Sequence, residues 1–250
     1  MGLYEHKQEF LIKCNDVDFK DRLKVSVALS FMQEVASASA HELGFGYAQI
    51  SPLGLTFMVL NIHVEFIRPV LFGESVFVKT WPLPPSHVYF GREFQMEAED
   101  GSLLFNATSR WCLIDLTVGK VAQSKRIENQ DYSTYNTTKL FDSINWKLPV
   151  FQQDEGELRF TITIANSEYD HNMHVNNTRY AEYCLNCFSV AELSNRKLKS
   201  FSISYLKQCK EGDTLRFYRK KIAENEYLAH GFNDAGEMVV QSRICFEEAE

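Results

Sequence analysis

FLIKCNDVDFKDRLKV, residues 10–25, and FTITIANSEYDHNMHV, residues 160–175, are two versions of one pattern. Laid together at an offset of 150, they put Phe10 over Phe160, Ile12 over Ile162 and Val25 over Val175. In each, alternating apolar residues predict a half-buried strand, and the polar run that follows predicts a turn. One strand and one turn thus occur twice.

Both copies continue into helical periodicity. Ala28, Phe31, Met32, Val35 and Ala38 mark the first helix, and Tyr180, Tyr183, Cys187, Phe188 and Ala191 the second. Ser26 and Asn176 are suitable N-caps. Further on, VEFIRPVLFGESVFV (64–78) matches ISYLKQCKEGDTLRF (203–217), with Gly73 over Gly212. The closing strands follow Gly101 and Gly236 and share Ser-Arg-x-Cys, at Ser109 to Cys112 and Ser242 to Cys245. A long helix after the first strand, then strands joined by Gly turns, implies an antiparallel sheet that covers the helix. The predicted class is α+β, twice over. Domains are expected at 1–122 and 151–250. Residues 123–150, which lose the period of two, are the linker, with Phe141, Ile144, Trp146 and Leu148 packing it onto the surface. WPLPPS at 81–86 reads as a second loop.

The 250 residues, 45% hydrophobic with only 12 Gly and 6 Pro, supply a sizeable core and exclude collagen-like and disordered classes. Glu5, Lys7 and Glu9 interrupt any apolar leader, and Gly44, Gly46, Pro52 and Gly54 interrupt the longest uncharged stretch, so a cytoplasmic protein without membrane insertion is expected. Six cysteines in such a chain are expected to be free thiols. Cys184 and Cys187 form a lone CxxC, which without further ligands reads as helix packing, and no metal site is expected.

The two copies differ most in the turn before the helix. At an offset of 150, the second copy reads Asp170, His171, Asn172, Met173, His174 where the first reads Lys20, Asp21, Arg22, Leu23, Lys24. Only the second carries a group that exchanges protons near neutrality. From spacing alone, Asn-x-His before a helix is a turn with a cap.

The string D-x-N-x-H-V-N-N-x-x-Y, Asp170 to Tyr180, resembles the active-site motif of the acyl-acyl carrier protein (acyl-ACP) thioesterases of plants and bacteria. GLTFMVLNIHVEFIRPVLFGESVFVKTW and GSLLFNATSRWCLID are similar to that family's N-terminal strands, and the likeness covers nearly the whole chain. It implies two tandem hotdog domains, hydrolysis of the thioester between a fatty acyl chain and the phosphopantetheine arm of ACP, and no metal or organic cofactor. The acyl-chain pocket is implied in the first domain and the catalytic turn in the second. Asp170, Asn172 and His174 match three of the family's catalytic positions. The fourth departs: where the family has a carboxylate before a cysteine, in the strand pairing with the motif, this chain has Gln208 before Cys209.

Gln can orient water but cannot accept a proton. The base is therefore expected to be His174, with Asp170 holding or charge-stabilising it, Asn172 positioning substrate or water, and Gln208 as orienter. Backbone N–H groups around Asn176, Asn177 and Thr178 are the oxyanion candidates. A Cys-His-Asn nucleophilic reading through Cys209 stays open beside it. His171 receives no role.

From Arg196 to Lys221 nine basic residues face only Glu211 and Asp213, inside a chain of net charge −7. Arg196, Lys197, Lys199, Lys207 and Lys210 are the candidate docking residues for an acidic carrier protein; the competing reading is ordinary solvated strands pairing with the tail Glu247, Glu248 and Glu250. Nucleic acid is not expected, because the net charge is negative and no binding motif accompanies the run. An acyl-CoA thioesterase, a hotdog dehydratase and a non-catalytic acyl-binding module are the alternatives. Monomer and homodimer are both compatible with a tandem chain.

Overall fold

The computed structural model describes residues 3–127, 132–170 and 173–248. The chain divides into two compact units, Met1–Ile144 and Asn145–Glu250.

In the first unit the strands β1 (His6–Leu11), β2 (Leu55–Phe66), β3 (Ser75–Pro82), β4 (Tyr89–Ala98) and β5 (Leu103–Asp115) form an antiparallel sheet in the order β1-β3-β4-β5-β2, with β6 (Lys120–Ala122) on β5. The helix α1 (Val25–Glu42) buries Val25, Ala28, Leu29, Met32, Val35 and Ala36, and a short α2 (Tyr47–Ile50) follows. On β4 the alternation puts Arg92, Phe94 and Met96 on one face and Glu93 on the other. Arg92 donates to Ser39 Oγ of α1 at 3.0 Å. Glu93 Oε2 instead accepts the Leu140 N–H at 3.2 Å, and Trp81 Nε1 donates to the Thr138 carbonyl at 2.9 Å, so residues 138–141 lie along the sheet. Trp81 and Pro82, expected in a loop, end β3; the loop proper begins at Leu83, whose N–H donates to the Gly91 carbonyl.

The second unit repeats the plan with β7 (Glu157–Thr163), β8 (Arg196–Tyr205), β9 (Thr214–Ala223), β10 (Glu226–Phe232) and β11 (Met238–Glu248), paired antiparallel in the order β7-β9-β10-β11-β8. Its helix is not long. α3 (Asn177–Leu185) has 9 residues, and after a break α4 (Val190–Ser194) begins. The cause is local: Ser189 and Glu192 form a reciprocal capping box, Glu192 N–H to Ser189 Oγ at 3.2 Å and Ser189 N–H to Glu192 Oε2 at 2.8 Å, which starts a new helix there. Cys187 and Phe188 in the break are still buried, which is why the periodicity reads as continuous.

Asn176 is the N-cap of α3, accepting the Thr178 N–H at 3.0 Å. Ser26 is not a cap: α1 starts one residue earlier, after Lys24, and Ser26 is buried. The repeat itself is real, but its register differs from the sequence alignment. Leu11 pairs with Ser75 as Thr163 pairs with Thr214, Val17 bridges Leu23 as Tyr169 bridges Val175, and the paired turns place φ 55° at Asp21 and 60° at Met173. All three correspondences give an offset of 152. Phe10 therefore matches Ile162, and Asp18, Lys20 and Arg22 match Asp170, Asn172 and His174. The Gly73–Gly212 match holds. The shared Ser-Arg-x-Cys does not: Ile62 pairs with Ser109, but Phe201, its equivalent, pairs with Ile244. Both slips are of two residues, which leaves every side chain on the same face of its strand and so escapes a hydropathy alignment.

Candidate active site

The turn before α3 is a tight hairpin. Asp170 N–H donates to the His174 carbonyl at 2.8 Å, Met173 N–H to the Asp170 carbonyl at 3.1 Å and Asn176 N–H to the Glu168 carbonyl at 2.8 Å. Met173, which leads back into the closing strand of the hairpin, takes the left-handed conformation at φ 60°. Asp170 closes it by accepting the backbone N–H of His174 on Oδ1 at 3.3 Å. Its counterpart Asp18 does the same work in the first half, accepting the N–H groups of Lys20 at 2.8 Å and Arg22 at 3.1 Å. The aspartate is thus a turn former in both halves, and it holds His174 through the backbone. His174 is exposed, and Asp170 is half-buried. Asn172 and His171 lie outside the described residues.

Gln208 and Cys209 are not on a strand, contrary to expectation. β8 ends at Tyr205, where the N–H groups of Leu206 and Lys207 both turn onto the Val239 carbonyl at 2.9 and 3.1 Å, and residues 206–213 form a loop. Asp213 caps it by accepting the Lys210 N–H at 2.9 Å, and Gly212 supplies the φ of 87° that its return to β9 requires. Gln208 is exposed. Cys209 is buried against the Tyr180 hydroxyl of α3, and burial pushes its thiol up, which is the setting of a structural thiol and not of a thiolate nucleophile. The Glu211 N–H donates to the Tyr169 hydroxyl at 2.7 Å, joining this loop to the hairpin. Sequence reasoning missed Tyr169. The available signal was its match to Val17, visible only in the 152 register.

Of the three oxyanion candidates, Asn176 N–H is taken by the Glu168 carbonyl and Thr178 N–H by the Asn176 side chain at 3.0 Å. Asn177 N–H is the one without an acceptor among the described residues. The basic run is largely neutralised by acids from elsewhere in the unit. Lys197 pairs with Glu247 at 2.6 Å, Lys207 with Glu237, Arg216 with Asp234 at 2.7 Å, Arg219 with Glu192 at 2.6 Å and Lys220 with Glu155 at 2.8 Å. Arg196 stacks over Tyr227 and Phe246 at 5.0 and 5.3 Å. Lys199 and Lys210 are exposed.

Cys184 and Cys187 are buried, and burial drives the Cys184 thiol up to about 12 and that of Cys187 upward as well. Among the described residues, no group of three or more His, Cys, Asp and Glu could hold a metal ion, and no helix is long and apolar enough to cross a membrane.

Comparison with known proteins bears on both halves. Sequence models of the acyl-ACP thioesterase N-terminal and C-terminal domains match residues 3–129 and 152–248. An oleoyl-acyl carrier protein thioesterase of Coriandrum sativum is 21% identical over 225 residues, covering 84% of this chain and 61% of its own. A palmitoyl-acyl carrier protein thioesterase of Arabidopsis thaliana is 23% identical over 220 residues, covering 84% and 53%. The chain thus spans about three fifths or less of these relatives' length. Among solved structures, an acyl-ACP thioesterase from Bacteroides thetaiotaomicron superposes with a TM-score of 0.88 at 24% identity, covering 97% of this chain and 98% of the other. The 12:0-ACP thioesterase from Umbellularia californica superposes at 0.87 with 19% identity, covering 99% and 100%. These likenesses identify the fold of each half as a hotdog. Matched in both its N-terminal and its C-terminal half, the chain belongs to the acyl-ACP thioesterase family.

Proposed function

We propose that the chain hydrolyses fatty acyl-ACP thioesters, releasing free fatty acid and ACP, with His174 as the base. The observation that carries this reading is an exposed imidazole on a hairpin locked by Asp170, in a chain matched by the family in both halves. Imidazole is the side chain suited to take and return a proton near neutrality. It removes a proton from water as the water oxygen bonds to the thioester carbonyl carbon. The tetrahedral adduct then expels the thiolate by breaking the C–S bond, and the imidazolium returns the proton to sulfur. Asp170 keeps the hairpin in shape, Asn172 positions substrate or water, and Gln208 orients through its amide.

The first unit is the proposed acyl-chain holder. Phe45, Ile50, Leu55 and Leu113 form an apolar cluster on which Phe57, Phe90 and Ala40 of α1 pack. The exposed lysines of the second unit would meet the acidic carrier.

The test offers the purified chain matched acyl-ACP and acyl-CoA substrates. Hydrolysis of the ACP ester is expected to fall by about 10²-fold or more in His174→Ala. Undiminished turnover in that variant would remove the base, and a strong preference for the CoA ester would remove the carrier.

A further inference from the structure

Around the hairpin that leads into the helix the two halves share one backbone bonding pattern, and it breaks at a single seam. In the first half the hairpin is zipped to the following loop: Leu23 N–H donates to the Val70 carbonyl at 2.8 Å, Phe72 N–H donates to the Asp21 carbonyl at 3.0 Å, and Arg22 bridges Leu71 between them. The counterparts in the second half are Val175, Cys209, Glu211 and Met173. Among the described residues, the Val175 N–H has no acceptor and the Met173 carbonyl no donor, although the flanking bonds of Asp170, Asn176, Gly212 and Ile164 all have first-half equivalents. The Glu211 N–H has been diverted to the Tyr169 hydroxyl, which stands where the first half has Val17. Cys209 has been drawn to the Tyr180 hydroxyl, where the first half has Ala28.

An N–H without a partner on a residue only 5% exposed is uncommon in a folded protein and calls for an acceptor. The first half shows what the slot accepts, since there a carbonyl oxygen occupies it at 2.8 Å. The slot adjoins His174 in the chain. We propose that the opened seam between residues 173–175 and 209–211 seats the thioester carbonyl, with the Val175 N–H donating to its oxygen, and that Tyr169 is a positioning residue holding the seam open. As water adds to the carbonyl carbon, charge collects on that oxygen and the fixed donor gains strength, which lowers the barrier. Tyr169 achieves the opening by satisfying the Glu211 N–H that would otherwise return to the Met173 carbonyl.

This inference rests on the hydrolytic reading, and its test separates the two. In a chain labelled with nitrogen-15 valine, a non-hydrolysable ketone analogue of acyl-pantetheine should move the Val175 amide proton downfield and slow its exchange, with no turnover required. The Leu23 amide, in leucine-labelled chain, should stay where it is. Replacing Val175 by its α-hydroxy acid turns the N–H into an ester oxygen. The expected result is a fall in kcat of about 10²- to 10³-fold with at most a small fall in the unfolding midpoint, because the Val175 N–H has no internal bond to lose and the His174 carbonyl, now an ester carbonyl, still accepts the Asp170 N–H, only more weakly. Tyr169→Phe should lower kcat/KM and give the unliganded Val175 amide the exchange protection of Leu23. A wild-type chain that hydrolyses nothing yet shows the Val175 shift would overturn the activity and leave the carbonyl seat standing. An unmoved Val175 amide, full kcat in the ester variant, or a loss of stability in place of rate would overturn the seat.

Discussion

Met173 is 75% exposed and holds φ at 60°, a conformation that costs a side chain with a Cβ about 1 kcal/mol and that asparagine tolerates better. Met173→Asn should therefore stabilise the fold by up to ~1 kcal/mol, read as a higher urea midpoint, with no packing lost. Its neighbour Asp170 works through a backbone N–H, so Asp170→Asn, which keeps an acceptor oxygen, should retain more stability and more kcat than Asp170→Ala, which should lose about 1 kcal/mol. Equal losses in the two variants would show that charge, not turn closure, is what Asp170 contributes. His230 shows the opposite use of the same residue type as His174. It is fully buried and stacked on Phe151 at 4.1 Å, and burial holds its ring at about 4, against the pull of the Phe151 and Pro149 backbone. A lowered imidazole pKa means that the unfolded chain takes up the proton first. The stability it supports is complete above about 6.5 and is lost as pH falls toward 4, by up to ~3 kcal/mol. Gln95 occupies the equivalent strand position in the first half, so His230→Gln should flatten that acid limb in denaturation curves between pH 7 and 4.5.

At the scale of elements, the break between α3 and α4 is held by a small polar knot. Glu192 is committed to the Ser189 N–H and to Arg219 at 2.6 Å and Arg159 at 2.9 Å, while the Arg219 guanidinium also donates to the Cys187 carbonyl at 3.0 Å and lies 4.8 Å over the Phe188 ring. One forked cation thereby ties the second helix segment, the chain end of the first and strand β9 together. Lysine cannot reproduce a fork. Arg219→Lys should cost about 2 kcal/mol of stability, measurable as a lower urea midpoint, and leave kcat at the His174 hairpin unchanged.

For the whole molecule, the net charge of −7 disguises a basic run whose partners come from distant positions. Pairing leaves Lys210 exposed, beside Gln208 and Cys209, while Lys207 is spoken for by Glu237. If an acidic carrier docks on this loop, Lys210→Glu should raise the KM for acyl-ACP several-fold more than Lys207→Glu, most strongly at low salt, and should raise it far more for acyl-ACP than for an acyl-pantetheine fragment. Equal effects on carrier and fragment would place the influence of Lys210 on the chemistry and not on encounter.

The duplication, the α+β class, the first and closing strands of each half and the turn carrying Asp170 and His174 were all legible from residue order. Each depends on local alternation, turn chemistry or a short motif, and such signals act over a few neighbouring positions. Three features were decided only in three dimensions. The register of the repeat was one, because a slip of two residues leaves the in-and-out pattern of a strand untouched. The pairing of the basic run was another, since Glu155, Glu192, Glu237 and Glu247 reach it from other elements. The third was the opening between hairpin and loop. A backbone N–H is present at every residue except proline, so no residue code announces that the one at Val175 lacks an acceptor among the described residues; only the folded path of the chain decides which of these identical groups stays unpaired there.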